Sequence, residues 1–382
     1  YLGRRRIVME IKLNYENAIA NRGNLARIKA VMKRAKAGEA LTVGFLGGSI
    51  TQGSLATAPN LCYAYHVYEW WCRTFPEAEF KYINAGIGAT DSQFGCARAE
   101  SDLLAYEPDF VIIEFSVNDS STPHFLETYE GLVRKVYGCR KQPAVLLVHN
   151  VCYDNGANAQ LMHGKVARHY ELPSVSMQSC IYPELVAGRI ENREITPDDL
   201  HPNDKGHALV ASVITYYLDK IAGEMDVPEE APIVELPQPL TQNAYEDSVR
   251  YRNQNSEPEV SGFTKDDVAQ EVITDIFKNG WTATEKGARI AFDIEGSCIG
   301  VQYRKTIQLP APIARLTIDG DEEHALTLDA NFDETWGDKL ELDTILEHGE
   351  NKVHKVEVRL TETHENDAVP FYLVSVIGSS EK

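Results

Sequence analysis

The sequence predicts an α/β protein in which a three-layer, parallel-sheet domain precedes an antiparallel β-sandwich. Three observations predict it. Up to about residue 222, short unbroken apolar runs alternate with helical patterns, as expected of a parallel sheet covered on both faces. Residues 224–240 then place Pro228, Pro232, Pro237 and Pro239 among Glu229, Glu230 and Glu235, through which no helix can continue. Beyond them, apolar and polar residues alternate with period two between turn residues. The expected division is therefore a domain over 1–223, a Pro-rich linker over 224–240 and a sandwich over 241–382. A chain of 382 residues is long enough for two cores.

Taken in order, a basic amphipathic helix over 24–36 leads into a buried strand, Leu41-Thr-Val-Gly-Phe-Leu46. The next helical pattern, over 64–75, carries Tyr65, Val67, Tyr68, Trp71 and Cys72. Further apolar strands are expected at 80–83, 110–115 and 144–149, with helices at 92–104, 125–137 and 157–170 and a closing helix at 206–222. Ligands of such sheets bind beyond the carboxyl ends of the strands. In the second part, alternating runs fall at 288–294, 299–303, 314–318, 325–328, 355–360 and 371–377. Turn residues punctuate them at Glu295-Gly296, Asp319-Gly320 and Gly349-Glu-Asn351, and the acidic run Asp321-Glu-Glu323 is expected at a solvated hairpin tip. Trp281 is expected to plug the core, and at least one of Trp70 and Trp71 to be buried.

The chain carries 37 basic and 57 acidic residues, a net charge of -20. That field repels polyanions and argues against nucleic-acid partners, whereas a neutral substrate such as a sugar ester meets no penalty. No apolar run reaches the length of a membrane helix. The basic start Tyr1-Leu-Gly-Arg-Arg-Arg-Ile-Val-Met-Glu10 has no apolar core or small-residue cleavage site behind it. Seven cysteines form no CxxC pair, leave one odd and mostly lie in apolar segments, so a reduced, cytoplasmic setting is expected. The sequence does not define an oligomeric state.

Four polar motifs follow predicted strands or lie in a late loop. Gly47-Gly-Ser-Ile-Thr-Gln-Gly53 follows the first strand, where two glycines allow a tight strand-to-helix turn exposing Ser49. It is not a phosphate loop, because no Gly-Lys-Ser/Thr follows at the required spacing. Asn84-Ala-Gly-Ile-Gly-Ala-Thr-Asp-Ser92 offers the Gly88 N–H to an oxyanion, or is simply a turn needing a positive φ. Phe115-Ser-Val-Asn-Asp119 offers the Asn118 side-chain amide to the same oxyanion, or is an ordinary Asn-Asp turn. Thr196-Pro-Asp-Asp-Leu-His-Pro-Asn-Asp-Lys-Gly-His207 sets Asp198 three residues before His201, the spacing at which a carboxylate can accept the Nδ1 proton. Asp199 lacks that spacing. His201 and His207 have no third ligand of suitable spacing, so no metal is expected.

Together, Ser49, Gly88, Asn118 and His201 resemble, in order, the four blocks of the SGNH hydrolases, over roughly the first 220 residues. The usual Gly-Asp-Ser-Leu is here Gly47-Gly48-Ser49-Ile50, a departure that bears on the subfamily. Written as Gly-Ile-Gly-Ala-Thr, the second block leaves the oxyanion donor open between Gly88 and its neighbours. The resemblance implies a flavodoxin-like fold and a Ser49–His201–Asp198 triad needing no cofactor. It also implies an oxyanion hole from the Ser49 and Gly88 amides and the Asn118 side chain. A catalytic domain followed by a sandwich resembles carbohydrate esterase family 17, acetylmannan esterases with a C-terminal family 35-type carbohydrate-binding module of jelly-roll fold. In carbohydrate esterase family 2 the sandwich comes first. The implied substrate is an acetylated, mannan-derived plant oligosaccharide. A lipid or acyl-thioester hydrolase with the same triad, or a non-catalytic carbohydrate-binding protein, are the alternatives. Trp336, in the polar segment Asn331-Phe-Asp-Glu-Thr-Trp-Gly-Asp338, either stacks on sugar or plugs the end of the sandwich.

Overall fold

The computed structural model describes residues 12–381. The basic N-terminal segment singled out above lies outside the described residues. In chain order the first domain comprises β1 (Ile19–Asn21), α1 (Ala26–Lys36), β2 (Ala40–Gly47), α2 (Ser49–Gln52) and α3 (Tyr63–Thr74). It continues with β3 (Glu79–Gly86), α4 (Ser92–Asp102), β4 (Phe110–Glu114), α5 (Pro123–Tyr137), β5 (Ala144–His149) and α6 (Gln160–His169). It ends with β6 (Ser174–Ser176), α7 (Tyr182–Val186), α8 (Asn192–Ile195) and α9 (Asp204–Gly223).

The sheet order is β1-β6-β5-β4-β2-β3. All neighbours are parallel except the edge strand β1, which runs antiparallel to β6. Strands β4 and β5 are buried along their whole length, which is why they read as unbroken apolar runs. Side chains alternate between two cores. Phe45, Ile112 and Leu146 meet α1, α3 and α9 on one face, while Val111, Ile113 and Leu147 meet α4, α5 and α6 on the other. Trp70 and Trp71 are both buried in the first of these cores.

Residues 224–248 are pinned along the α/β domain instead of spanning open solvent. Glu229 pairs with Arg22 and Lys29, both at 2.9 Å. Arg27 and Arg134 donate to the Ile233 and Pro237 carbonyls at 2.8 Å. The buried Glu130 carboxylate accepts from the Leu240 and Thr241 amides at 2.6 and 2.9 Å. Prolines keep this strap out of helix, and its carbonyls accept from cationic side chains of α1 and α5.

The second domain begins with β7 (Val249–Tyr251), β8 (Glu259–Ser261), β9 (Thr264–Lys265), β10 (Trp281–Ala283), β11 (Arg289–Gly296) and β12 (Cys298–Lys305). It continues with β13 (Ile313–Ile318), β14 (Leu326–Asp329), β15 (Lys339–Leu346), β16 (Lys352–Glu362) and β17 (Phe371–Ser379). One sheet has the order β15-β12-β17-β10-β9, with β7 on β17, and the other β14-β13-β16-β11-β8, all antiparallel. Their facing residues, among them Phe292, Val301, Leu316, Val358 and Leu373, close one core around the fully buried Trp281. The sandwich expected from the alternation is present, with β15 and the short strands β7 to β10 in addition.

The two domains meet at a packed seam. Ile87 and Phe94 of the α/β domain form one buried cluster with Leu340, Tyr372, Val374 and Ile377 of the sandwich. Hydrogen bonds frame it, from Gln93 to Thr344 at 3.0 Å and between His348 and Glu127 at 2.8 Å. Ile87 immediately precedes Gly88, so the sandwich abuts a predicted site loop.

Candidate active site

Strand β2 delivers Gly48 and Ser49 to the carboxyl edge of the sheet, where α2 starts at once. A Cβ at Gly48 would lie 2.2 Å from Asn118 Oδ1, so only glycine lets the loop after β4 approach this close. The helix stops after one turn at Gly53, whose φ of 98° is a left-handed cap. Ser49 is therefore the first residue of a helix, with an amide that has no partner within that helix. Its side chain is buried, with 7% of its surface exposed.

His201 reaches Ser49 from the loop before α9. Its Nε2 stands 2.8 Å from Ser49 Oγ, and its Nδ1 lies 2.7 Å from Asp198 Oδ2. The Asp198 Oδ1 accepts the Leu200 and His201 amides at 3.0 and 2.7 Å. One carboxylate thus folds the loop and orients the ring on it. Burial works against the Asp198 charge, but the hydrogen bonds from the His201 ring and the two amides outweigh it and hold its pKa below the ordinary value. Asp199 points elsewhere, accepting from both Arg193 guanidinium nitrogens at 2.8 and 2.7 Å and from Asn192 at 2.8 Å. His207 faces away from the serine: its Nδ1 accepts the Tyr63 amide and its Nε2 donates to the Ser54 carbonyl, both at 3.2 Å.

Of the predicted oxyanion donors, Asn118 stands beside Gly48, and its Oδ1 is buried with no partner among the described residues. Gly88 lies across from Ser49, with a built Cβ 3.7 Å from the Ser49 Cβ. Its amide is not free, because it donates to Gln52 Oε1 at 2.6 Å. Gln52 thus belongs to the site although sequence reasoning passed over it. The two residues are 36 positions apart, and only the β2–β3 register, which pairs Gly47 with Gly86, brings them together.

A second residue unread in the sequence is Glu114, the last of β4. Fully buried, it accepts from Thr51 Oγ1 and Ser116 Oγ, both at 3.3 Å, and Thr51 Oγ1 in turn accepts from Tyr63 Oη at 2.8 Å. Burial raises its pKa to about 7. It supports α2 from below through Thr51, and none of its hydrogen bonds among the described residues goes to Ser49. Trp336 lies in the loop between β14 and β15 with 58% of its surface exposed, edge-on to Phe332 at 5.2 Å. It is not a core plug.

A buried serine hydroxyl, a ring poised between it and a carboxylate, and the Gly88 and Asn118 loops beside them form an arrangement suited to acyl transfer. Residues 45–209 match the GDSL-like lipase/acylhydrolase family. A crystal structure of a two-domain esterase active on acetylated mannans, co-crystallised with mannopentaose, is 72% identical, with 97% of this chain and 99% of that chain covered and a TM-score of 0.94. A second crystal structure of a two-domain esterase active on acetylated mannans is also 72% identical, covering 97% and 100% of the two chains at a TM-score of 0.95. A search of curated proteins finds no match. The chain belongs to the GDSL-like lipase/acylhydrolase (SGNH) family and is a carboxylic ester hydrolase.

Proposed function

We propose that the protein is a serine carbohydrate O-acetylesterase acting on mannan-derived plant oligosaccharides. The observation that carries the reading is the hydrogen-bonded line Ser49–His201–Asp198. It stands in a chain 72% identical, over nearly its whole length, to a two-domain esterase active on acetylated mannans. In this reading His201 Nε2 takes the Ser49 proton as Oγ bonds to the acetyl carbonyl carbon, and Asp198 stabilises the imidazolium. The Ser49 amide and Asn118 Nδ2 donate to the oxyanion, joined by the Gly88 amide once Gln52 yields it. The ester C–O bond breaks, the sugar hydroxyl leaves with the His201 proton, and water releases acetate by the same route in reverse.

Exposure of Trp336 supports sugar stacking over the plugging alternative, since an indole face matches the C–H groups of a pyranose. The loop bearing it runs into β15, whose Lys339 and Leu340 share a small cavity with Ala89, next to Gly88. Seven free thiols support a reducing, cytoplasmic setting. The test is acetate release from acetylated manno-oligosaccharides, followed by mass spectrometry of the loss. Ser49→Ala is expected to abolish release while keeping the thermal midpoint and binding of the unacetylated sugar. Turnover near that of the unaltered enzyme would reject the serine mechanism.

A further inference from the structure

A cavity of about 400 Å³ is bordered by Gln52, the residue whose Oε1 accepts the Gly88 amide. Gln52, Asn60, Tyr65 and Tyr82 form its α/β wall, and Val272 and Thr274 of the sandwich form the other. We propose that this interdomain cavity is a subsite for a neutral pyranose ring, the sugar next to the one whose acetyl group lies on Ser49. The inference rests on the proposed carbohydrate esterase activity and adds a location and a set of contacts to it.

Position comes first. Gln52 is the last residue of the single-turn helix that Ser49 begins, so the two neighbour each other at the i, i+3 spacing. Gln52 therefore borders the cavity from the same short helix that Ser49 begins. A wider cavity of about 600 Å³ is lined by Glu100, Arg134, Lys135 and Arg140, and none of the residues around Ser49 borders it.

Chemistry selects the occupant. Tyr65 and Tyr82 meet edge to face at 5.4 Å and offer ring surface, and Val272 adds an apolar cover. These suit the C–H faces of a sugar. Polar groups stand between them: the side chains of Asn60, Tyr65 and Thr274 make no hydrogen bond among the described residues. A hydrocarbon tail would displace water from them without offering a partner, whereas ring hydroxyls could replace that water. Asn84, by contrast, is fixed, donating to Thr51 O and Tyr82 Oη and accepting from the Gly86 amide, which makes the back wall rigid. A net charge of -20 favours a neutral sugar over an acidic one.

The experiment uses the full chain with Val272→Glu and, separately, Asn60→Ala. Val272 is 60% exposed and Asn60 lies at the surface, so neither change opens a core. Each variant is assayed on acetylated manno-oligosaccharides and on para-nitrophenyl acetate, butyrate and octanoate. Relative to para-nitrophenyl acetate, kcat/KM on the oligosaccharide is expected to fall about tenfold, mainly through KM. Equal losses on both substrates, or an unchanged ratio in both variants, would overturn the subsite. A shift in the octanoate-to-acetate ratio instead would show that the cavity holds acyl chains, and would overturn it too. If the unaltered enzyme cleaves the chromogenic ester but no oligosaccharide ester, the carbohydrate reading itself fails, and the subsite with it.

Discussion

Asp198 and Asp199 are adjacent carboxylates with opposite surroundings, and they give the sharpest contrast in the site. Asp198 receives the His201 ring at 2.7 Å, whereas Asp199 is spent on Arg193. Asp198→Asn is expected to lower turnover by about 1,000-fold or more, because an amide can present an N–H to Nδ1 and fix the wrong tautomer. Asp199→Asn weakens an exposed pair and should cost about tenfold at most. Steady-state kinetics of the two variants checks this, and a larger loss at Asp199 would reject the assignment of Asp198. On the proposed mechanism Asn118→Asp places a carboxylate beside the developing oxyanion and should cost at least about 100-fold in kcat, with KM nearly constant. A kcat within a fewfold of the parent would remove Asn118 from the site. That Ser49, Asp198 and His201 would be brought into one hydrogen-bonded line was legible because each lies in a short motif with a recognisable local spacing. Gln52 was not, because its bond to Gly88 depends on strand register, and neither residue signals the other locally.

At the scale of elements, what was legible followed burial. Strands β4 and β5 are buried on both faces and announced themselves as apolar runs, whereas β1 has three residues and mixed exposure. Strand β15 was passed over although Lys-Leu-Glu-Leu alternates, because most of its residues are half-buried along the seam and its polar members are not shed to one face. Helix α9 illustrates a different link, from packing to pH. His207 in its first turn is buried, and burial lowers its pKa to about 4. A proton on Nδ1 would also confront the Tyr63 amide that this atom accepts. The folded value lies below the unfolded value of about 6.5. The neutral ring's contribution is therefore complete above pH of about 6.5 and is lost progressively as pH falls towards about 4. Replacement by Asn removes that dependence. The stability advantage of the parent over His207→Asn is expected to shrink by on the order of 2–3 kcal/mol across this window, read from urea unfolding at each pH. A gap independent of pH would show that His207 takes up its proton as readily in the fold as in the unfolded chain.

For the whole molecule, the seam leaves the sandwich two separable roles on the proposed reading, contact with substrate and support of the catalytic centre. Two sandwich residues separate these roles. Trp336 is exposed in the β14–β15 loop, has Phe332 beside it, and belongs to no core. Leu340, four residues on, is buried against a cluster that contains Ile87, the neighbour of Gly88. If Trp336 stacks on sugar as proposed, Trp336→Ala should raise KM for acetylated oligosaccharides severalfold more than KM for para-nitrophenyl acetate. Leu340→Ala instead leaves a cavity behind the Gly88 loop, at a typical cost of about 2–5 kcal/mol when such a site cannot collapse. Its losses should fall on kcat for both substrates in parallel, because the geometry of the oxyanion donor is common to every ester. The thermal midpoint should drop as well. Kinetics on the two substrates, with a melting curve for each variant, checks both expectations together. If Leu340→Ala melts earlier yet keeps its kcat on the small ester, the sandwich stabilises the α/β domain without shaping its active site. If Trp336→Ala affects both substrates equally, the loop buttresses the seam and holds no sugar. The opposed kinetic signatures would instead mean that one domain both braces the oxyanion loop and extends the surface on which the substrate lies.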